Sequence, residues 1–127
     1  MSSPQTITNI TNVGIGATAS LLAAEAGRTL TEPSRVRIYA NQKNINVTFT
    51  ITIGAQQVAS AAVSAIQAAA GVMPIVPDNL LVESFGDVGD EIVVRAQNTD
   101  AAPSEARVMV QITAIDDLAL LRAMENF

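Results

Sequence analysis

The chain has 127 residues, a formal net charge of −5, and neither histidine nor cysteine. That length fits one domain, and the missing residue types exclude disulfides, thiolate nucleophiles, structural zinc and iron–sulfur clusters. The seven basic residues form no run, so neither nucleic-acid binding nor RNA packaging is the expected role, and no stretch reaches the ~20 apolar residues of a membrane helix.

Acid–base chemistry, if any, would fall to carboxylates, lysine or tyrosine. Apolar bulk comes mainly from alanine, valine and isoleucine. The aromatics are Tyr39, Phe49, Phe85 and Phe127, and there is no tryptophan. The large anchors of sugar-binding and peptide-binding clefts are therefore scarce.

Residues 1–24 carry no charged side chain. Thr, Asn, Ser and Gly interleave with Ile7, Ile10, Val13 and Ile15. Disordered segments normally carry charge and few β-branched residues. This composition suits an extended N-terminal arm or edge strand that packs on its own domain or on a neighbouring subunit. It has no basic leader or continuous apolar core, so no signal peptide is expected. "NVGIGATA", residues 12–19, lacks a third glycine in place and reads as a turn. "SLLAAEAGRTL" fits a helical turn and a strand equally.

From Ser34 the period is two. "RVRIYA" alternates Val36, Ile38 and Ala40 with Arg35, Arg37 and Tyr39, which predicts a strand with a charged outer face. Arg35 and Arg37 share that face and could contact an anion locally. "NQKN" reads as a turn. "INVTFTITIG" alternates Ile45, Val47, Phe49, Ile51 and Ile53 with Asn46 and three threonines, and predicts the strongest strand. Gly54–Gln57 then predicts a hairpin connection and Val58–Ser64 a returning strand, although the alanine content also fits a helix. Pro74 and Pro77 break regular structure. "NLLVESFG", "DEIVVRAQNT" and "SEARVMVQITAI" predict three more strands. In the last, Ala106, Val108, Val110 and Ile112 oppose Arg107, Met109, Gln111 and Thr113. Asp116 and Asp117 can cap a short C-terminal helix in which Leu118, Leu120, Leu121 and Met124 recur at helical spacing, with Phe127 at the end.

The expected fold class is all-β: an antiparallel β-sandwich, jelly-roll-like, with an extended N-terminal arm and a short C-terminal helix. Residues 1–33 are the arm and lead-in, 34–115 the β-sandwich domain, and 116–127 the C-terminal helix or tail. Surface for a partner is expected from Ile7, Ile10, Val13 and Ile15 in the arm and from Leu118, Leu121, Met124 and Phe127 in the tail.

The acidic run around "ESFGDVGDE" admits three readings. Asp87 to Asp90 lie between two strands, where glycine takes positive φ and aspartate bonds its own backbone, so a plain turn is the first reading. A calcium cage built from Glu83, Asp87, Asp90 and Glu91 is the second, although the spacing is not that of an EF-hand. A glycosidase carboxylate pair is the third, and it lacks the aromatics that hold sugar. No catalytic residue and no cofactor is expected.

The stretch "VMPIVPDNLLVESFGDVGDEIVVRAQNTDAAPSEARVMVQI" resembles small β-rich virion structural proteins of tailed bacteriophages, of the capsid decoration or cement type. The resemblance is one of texture over Ser34 to Ile115 and carries no diagnostic motif. It implies a non-enzymatic homo-oligomer, commonly a homotrimer, that sits on the capsid and stabilises the phage head. The implied partner is the major capsid protein or another virion protein, and the implied location is the virion, assembled in the host cytoplasm. It implies no nucleic-acid or membrane partner. The alternative is a β-sandwich binding module that recognises glycan or protein, with or without calcium.

Overall fold

The computed structural model describes residues 5–22, 28–43, 47–67, 71–76, 78–99 and 104–114. Among them the protein is all-β. The strands are β1 (Gln5–Val13), β2 (Thr18–Ser20), β3 (Ser34–Gln42), β4 (Val47–Ile53), β5 (Gln56–Val63), β6 (Ala65–Ile66), β7 (Leu80–Gly86), β8 (Ile92–Asn98) and β9 (Ser104–Ala114). The first sheet has the order β1-β9-β3, with β7 and the short β6 both on the free side of β3. The second has the order β2-β8-β4-β5. All pairings are antiparallel except β3 with the two-residue β6.

Most links between strands cross from one sheet to the other; β4 and β5, by contrast, form a hairpin within the second. The pairs β1–β9, β2–β8, β3–β7 and β4–β5 are nested, like a ribbon folded at its middle. The fold at β4–β5 is tight. Gly54 takes φ +62°, and a Cβ there would stand 2.6 Å from Asp90 Oδ1. Only glycine supplies that backbone without strain or collision.

Alternation decides which side chains go inside. In β4, Val47, Phe49, Ile51 and Ile53 are buried while the threonines between them are half-buried. In β8, Ile92, Val94 and Ala96 are buried. Val36, Ile38 and Ala40 of β3 meet Ile112, Val110 and Val108 of β9 across the first sheet. All these residues belong to one buried apolar cluster shared by both sheets. The arrangement is therefore sandwich-like, with each large aliphatic or aromatic residue contributing about 1.5–3 kcal/mol by leaving water.

The segment expected as an arm is built into this core. β1 pairs with β9 along its whole length, from Gln5↔Ile112 to Val13↔Ser104. β2 pairs with β8, and Leu21, Leu22 and Leu30 are buried beyond it. The residues between Ile7 and Val13 on the inner side are Asn9 and Thr11, which break the apolar alternation. They stay half-buried at the sheet margin, where the Thr11 hydroxyl donates to Asn9 Oδ1 at 2.6 Å.

Two further differences have local causes. Asn41 and Gln42, expected in a turn, are the last residues of β3 and are buried. The Gln42 side chain accepts from Val47 N at 2.7 Å and donates to Val47 O at 2.9 Å, so its amide stands in for a strand neighbour. β5 is a strand, but an irregular one. Its register with β4 shifts twice, and Ala61 has φ +47°. The expected C-terminal helix lies outside the described residues.

Because β1 closes one side of β9, removing residues 1–13 is expected to cost folding itself. The truncated chain should lose its cooperative urea transition, or show a midpoint far below that of the full chain. An unchanged midpoint would place β1 outside the stabilising core.

Candidate functional site

The four carboxylates of the acidic run go to different places. Glu83 lies opposite Arg37 on the neighbouring strand and pairs with it, Nε to Oε2, at 2.5 Å. That contact holds the Arg37 guanidinium above its usual pKa, chiefly through the hydrogen bond. Glu91 pairs with Arg28 at 3.4 Å. Asp87 and Asp90 serve their own backbone. Asp90 Oδ2 accepts from Asp87 N, and Asp87 Oδ1 from Val88 N, both at 2.8 Å. Gly89 takes φ +85° between them. The turn is tied to the lead-in segment, since Gly89 N donates to Leu30 O and Leu30 N donates to Asp90 O. Among the described residues no three or more His, Cys, Asp or Glu side chains gather where they could hold a metal ion.

A different polar cluster lies on the outer face of the first sheet. Arg107 points away from the core, yet its side chain is fully buried. The link between β6 and β7 lies over it. Arg107 Nη1 donates to Gln67 O at 2.9 Å and its Nε donates to Glu105 at 2.6 Å. Glu105 also accepts from Gly71 N at 2.8 Å, and Asn41 donates to Val72 O at 3.1 Å. Pro74 is buried in the same link. The Gly71 hydrogen bond first, and the Arg107 hydrogen bond second, hold the Glu105 carboxyl below its usual range. This cluster clamps the link to the sheet. Its residues were expected as an outward polar face and a proline-broken connection. The only sequence signal was an arginine and a glutamate flanking Ala106 near the start of β9.

The rest of that outer face is partly exposed. Register aligns Thr113, Arg35 and Phe85 in one row and Thr6, Gln111, Arg37 and Glu83 in the next. Phe85 is 46% exposed. Arg35 Nε is buried without a hydrogen-bond partner among the described residues. The local anion contact expected from Arg35 and Arg37 thus falls on a real surface, although Glu83 already engages Arg37.

Nearby, a shallow cleft of about 40 Å³ is lined by Gln5, Thr29, Leu30, Glu32, Ser34 and Ile112. It has room for a few waters and not for a substrate. Of the residues expected to meet a partner, Ile7 and Val13 are core residues, whereas Ile10 and Ile15 are exposed. Leu118, Leu121, Met124 and Phe127 lie outside the described residues.

Four measurements check this reading. Asp90→Ala removes one turn hydrogen bond and should lower stability by about 0.5–1.5 kcal/mol in urea. The full chain should show no rise in melting temperature at millimolar calcium. A rise of several degrees would mean that the folded state binds the ion. Arg107→Ala should be far costlier, about 3–5 kcal/mol, because a fully buried ion-pair partner is lost. The clamp also has a pH signature. The pKa of Glu105 is depressed, so its stabilisation is complete above the unfolded value of about 4.3 and disappears as pH falls through the lower folded value. Glu105→Gln should therefore differ most from the parent chain at neutral pH and converge with it in strong acid.

No family model matches this chain, and no curated protein and no solved structure is significantly similar to it.

Proposed function

We propose that the chain is a non-enzymatic structural protein of a phage virion, a capsid decoration or cement protein that self-associates as a homotrimer and stabilises the head. The observation that carries this reading is the strand order. With β6 set aside, the sheets run β1-β9-β3-β7 and β2-β8-β4-β5, with the nested pairing expected of an eight-stranded jelly roll. Viral capsid domains use that architecture, as do lectins and cupins.

Architecture alone does not assign a role. The surface chemistry favours the structural one. A lectin presents aromatic faces to sugar, but Tyr39 and Phe49 are buried here, and Phe85 is the exposed aromatic among the described residues. A cupin gathers histidines around a metal, and this chain has none. What remains is an acidic, small-residue shell around a tightly alternating core. The partners in this reading are further copies of the chain and the major capsid protein or another virion protein.

The test is solution mass by light scattering, followed by cosedimentation with phage heads that lack the protein. A calcium-independent trimer that binds the heads and raises their melting temperature is the expected result. A monomer that ignores heads and binds a glycan array would move the assignment to the binding module.

A further inference from the structure

We infer that the free edge of β1 docks the β1 edge of a second copy, antiparallel about a two-fold axis at Asn9, so that the first sheets of two copies become one. The inference goes beyond the trimer proposed above and takes from it only that copies of this chain associate.

β1 ends the first sheet, with β9 on one side and no strand on the other among the described residues. The register shows which of its backbone groups are left over. Lys43 N donates to Glu105 O, whereas Ala40 N, on the opposite side of β3, donates to Asn79 O. Backbone groups point alternately to the two sides of an antiparallel strand. Odd-numbered residues of β9 therefore turn N–H and C=O towards β3, and even-numbered ones turn them towards β1. Their partners in β1 are Gln5, Ile7, Asn9, Thr11 and Val13. Thr6, Thr8, Ile10 and Asn12 keep N–H and C=O on the free edge, and all four residues are exposed. No backbone hydrogen bond joins them to another strand among the described residues.

Long sheet edges usually carry a charge, a proline or a bulge that blocks pairing. β1 has none of these. Its nine residues are uncharged and run in one unbroken register with β9. The other margins are protected: β5 shifts register twice, β2 has three residues, and β7 carries Glu83.

The edge is complementary to itself, which singles out a second copy as the occupant. With Asn9 opposite Asn9 of the second copy, all of β1 pairs. Thr6 then faces Asn12 and Thr8 faces Ile10, each donating and accepting. A shift of one residue would set these groups against residues turned the other way, and a shift of two would leave residues unpaired. Charge favours the same occupant. The chain is at −5, yet residues 1–24 carry no charged side chain, so two acidic copies meet along β1 without like charges opposite one another. Ile10, 43% exposed, gains cover from Thr8 of the other copy. Main-chain hydrogen bonds supply the affinity of such strand addition. A two-fold contact does not close a trimer. It makes a dimer of single chains, or it joins two trimers into a hexamer.

The experiment uses the full chain and light scattering over rising concentration, with circular dichroism to verify folding. The parent mass should double, from one copy to two or from three to six. Thr8→Pro should abolish the doubling in a folded chain, because the Thr8 N–H lies on the free edge, where proline is tolerated. The chain has no cysteine, so Asn9→Cys supplies one thiol per copy. Opposed residues of a non-hydrogen-bonded pair stand about 4.5 Å apart at Cα, within disulfide range. Oxidised Asn9→Cys should therefore form a linked dimer, and Ile15→Cys, 62% exposed but outside β1, should not. A parent mass that does not double by about 1 mM overturns the inference. So does a folded Thr8→Pro chain that still doubles, or equal cross-linking of the two cysteine variants. Should Thr8→Pro not fold, Thr8→Glu decides: it sets carboxylates beside the axis, and doubling that persists overturns the inference. A trimer that never doubles but binds phage heads overturns the inference and still supports the proposed function. A chain that doubles through β1 but ignores heads supports the inference and counts against that function.

Discussion

β9 is paired along both of its edges, with β1 over Gln5–Val13 and with β3 over Ser34–Gln42. Its eleven residues alternate between core and outer face, so its register decides what each sheet face presents. A slip of one residue would turn Val108, Val110 and Ile112 outward and drive Arg107 into the apolar cluster. Each displaced aliphatic residue would forfeit about 1.5–3 kcal/mol, and a charge without partners would cost more. The register is thus held by large terms of one sign. β1 and β9 come from opposite parts of the chain, so this pairing requires the longest loop closure in the fold.

The same register creates the need for the clamp on the outer face. It places Arg107 beside Asn41, and β1's Ile10 on its other side. The link between β6 and β7 then crosses above, which removes the guanidinium from water. Burial of that charge is tolerable because Glu105, Gln67 and Asn41 all meet it. A wholly apolar replacement of similar shape could be as stable. What the ionic version adds is direction: the link can lie in one place only, where its carbonyls and amides satisfy the cluster. The effect is to cover one half of the sheet, while the other half carries the half-buried Arg35 and the half-exposed Phe85.

Much of this could be read from residue order, and the reasons for the failures are physical. The strands over β3, β4, β8 and β9 were legible because Val36 to Ala40, Val47 to Ile53, Ile92 to Ala96 and Ala106 to Ile112 alternate without interruption. β1 could be read only as an arm or an edge strand, because Asn9 and Thr11 occupy inner positions at a sheet margin where water still reaches. Asn41 and Gln42 look like turn formers, and a side-chain amide that mimics a strand partner leaves no local signal. The Asp87–Asp90 turn was legible from its glycine and aspartates, since its hydrogen bonds are local. The clamp was not, since Arg107, Gln67 and Val72 meet only after the sheet is formed. Arg35 and Arg37 could be placed on one face from period two alone, but nothing in the order of residues separated the paired arginine from the unpaired one.

These features bear on what the molecule can do. Chemistry at neutral pH requires groups held in a cleft with shifted proton affinity. Here the shifted carboxyl, Glu105, is part of a clamp, and the described cleft admits only water. Of the sheet margins, β5 is irregular, β2 has three residues and β7 carries Glu83, whereas β1 presents nine uncharged residues in one unbroken register along an edge of the first sheet. On the outer face of the first sheet, Arg35 Nε, buried without a hydrogen-bond partner among the described residues, stands in the row of the half-exposed Phe85.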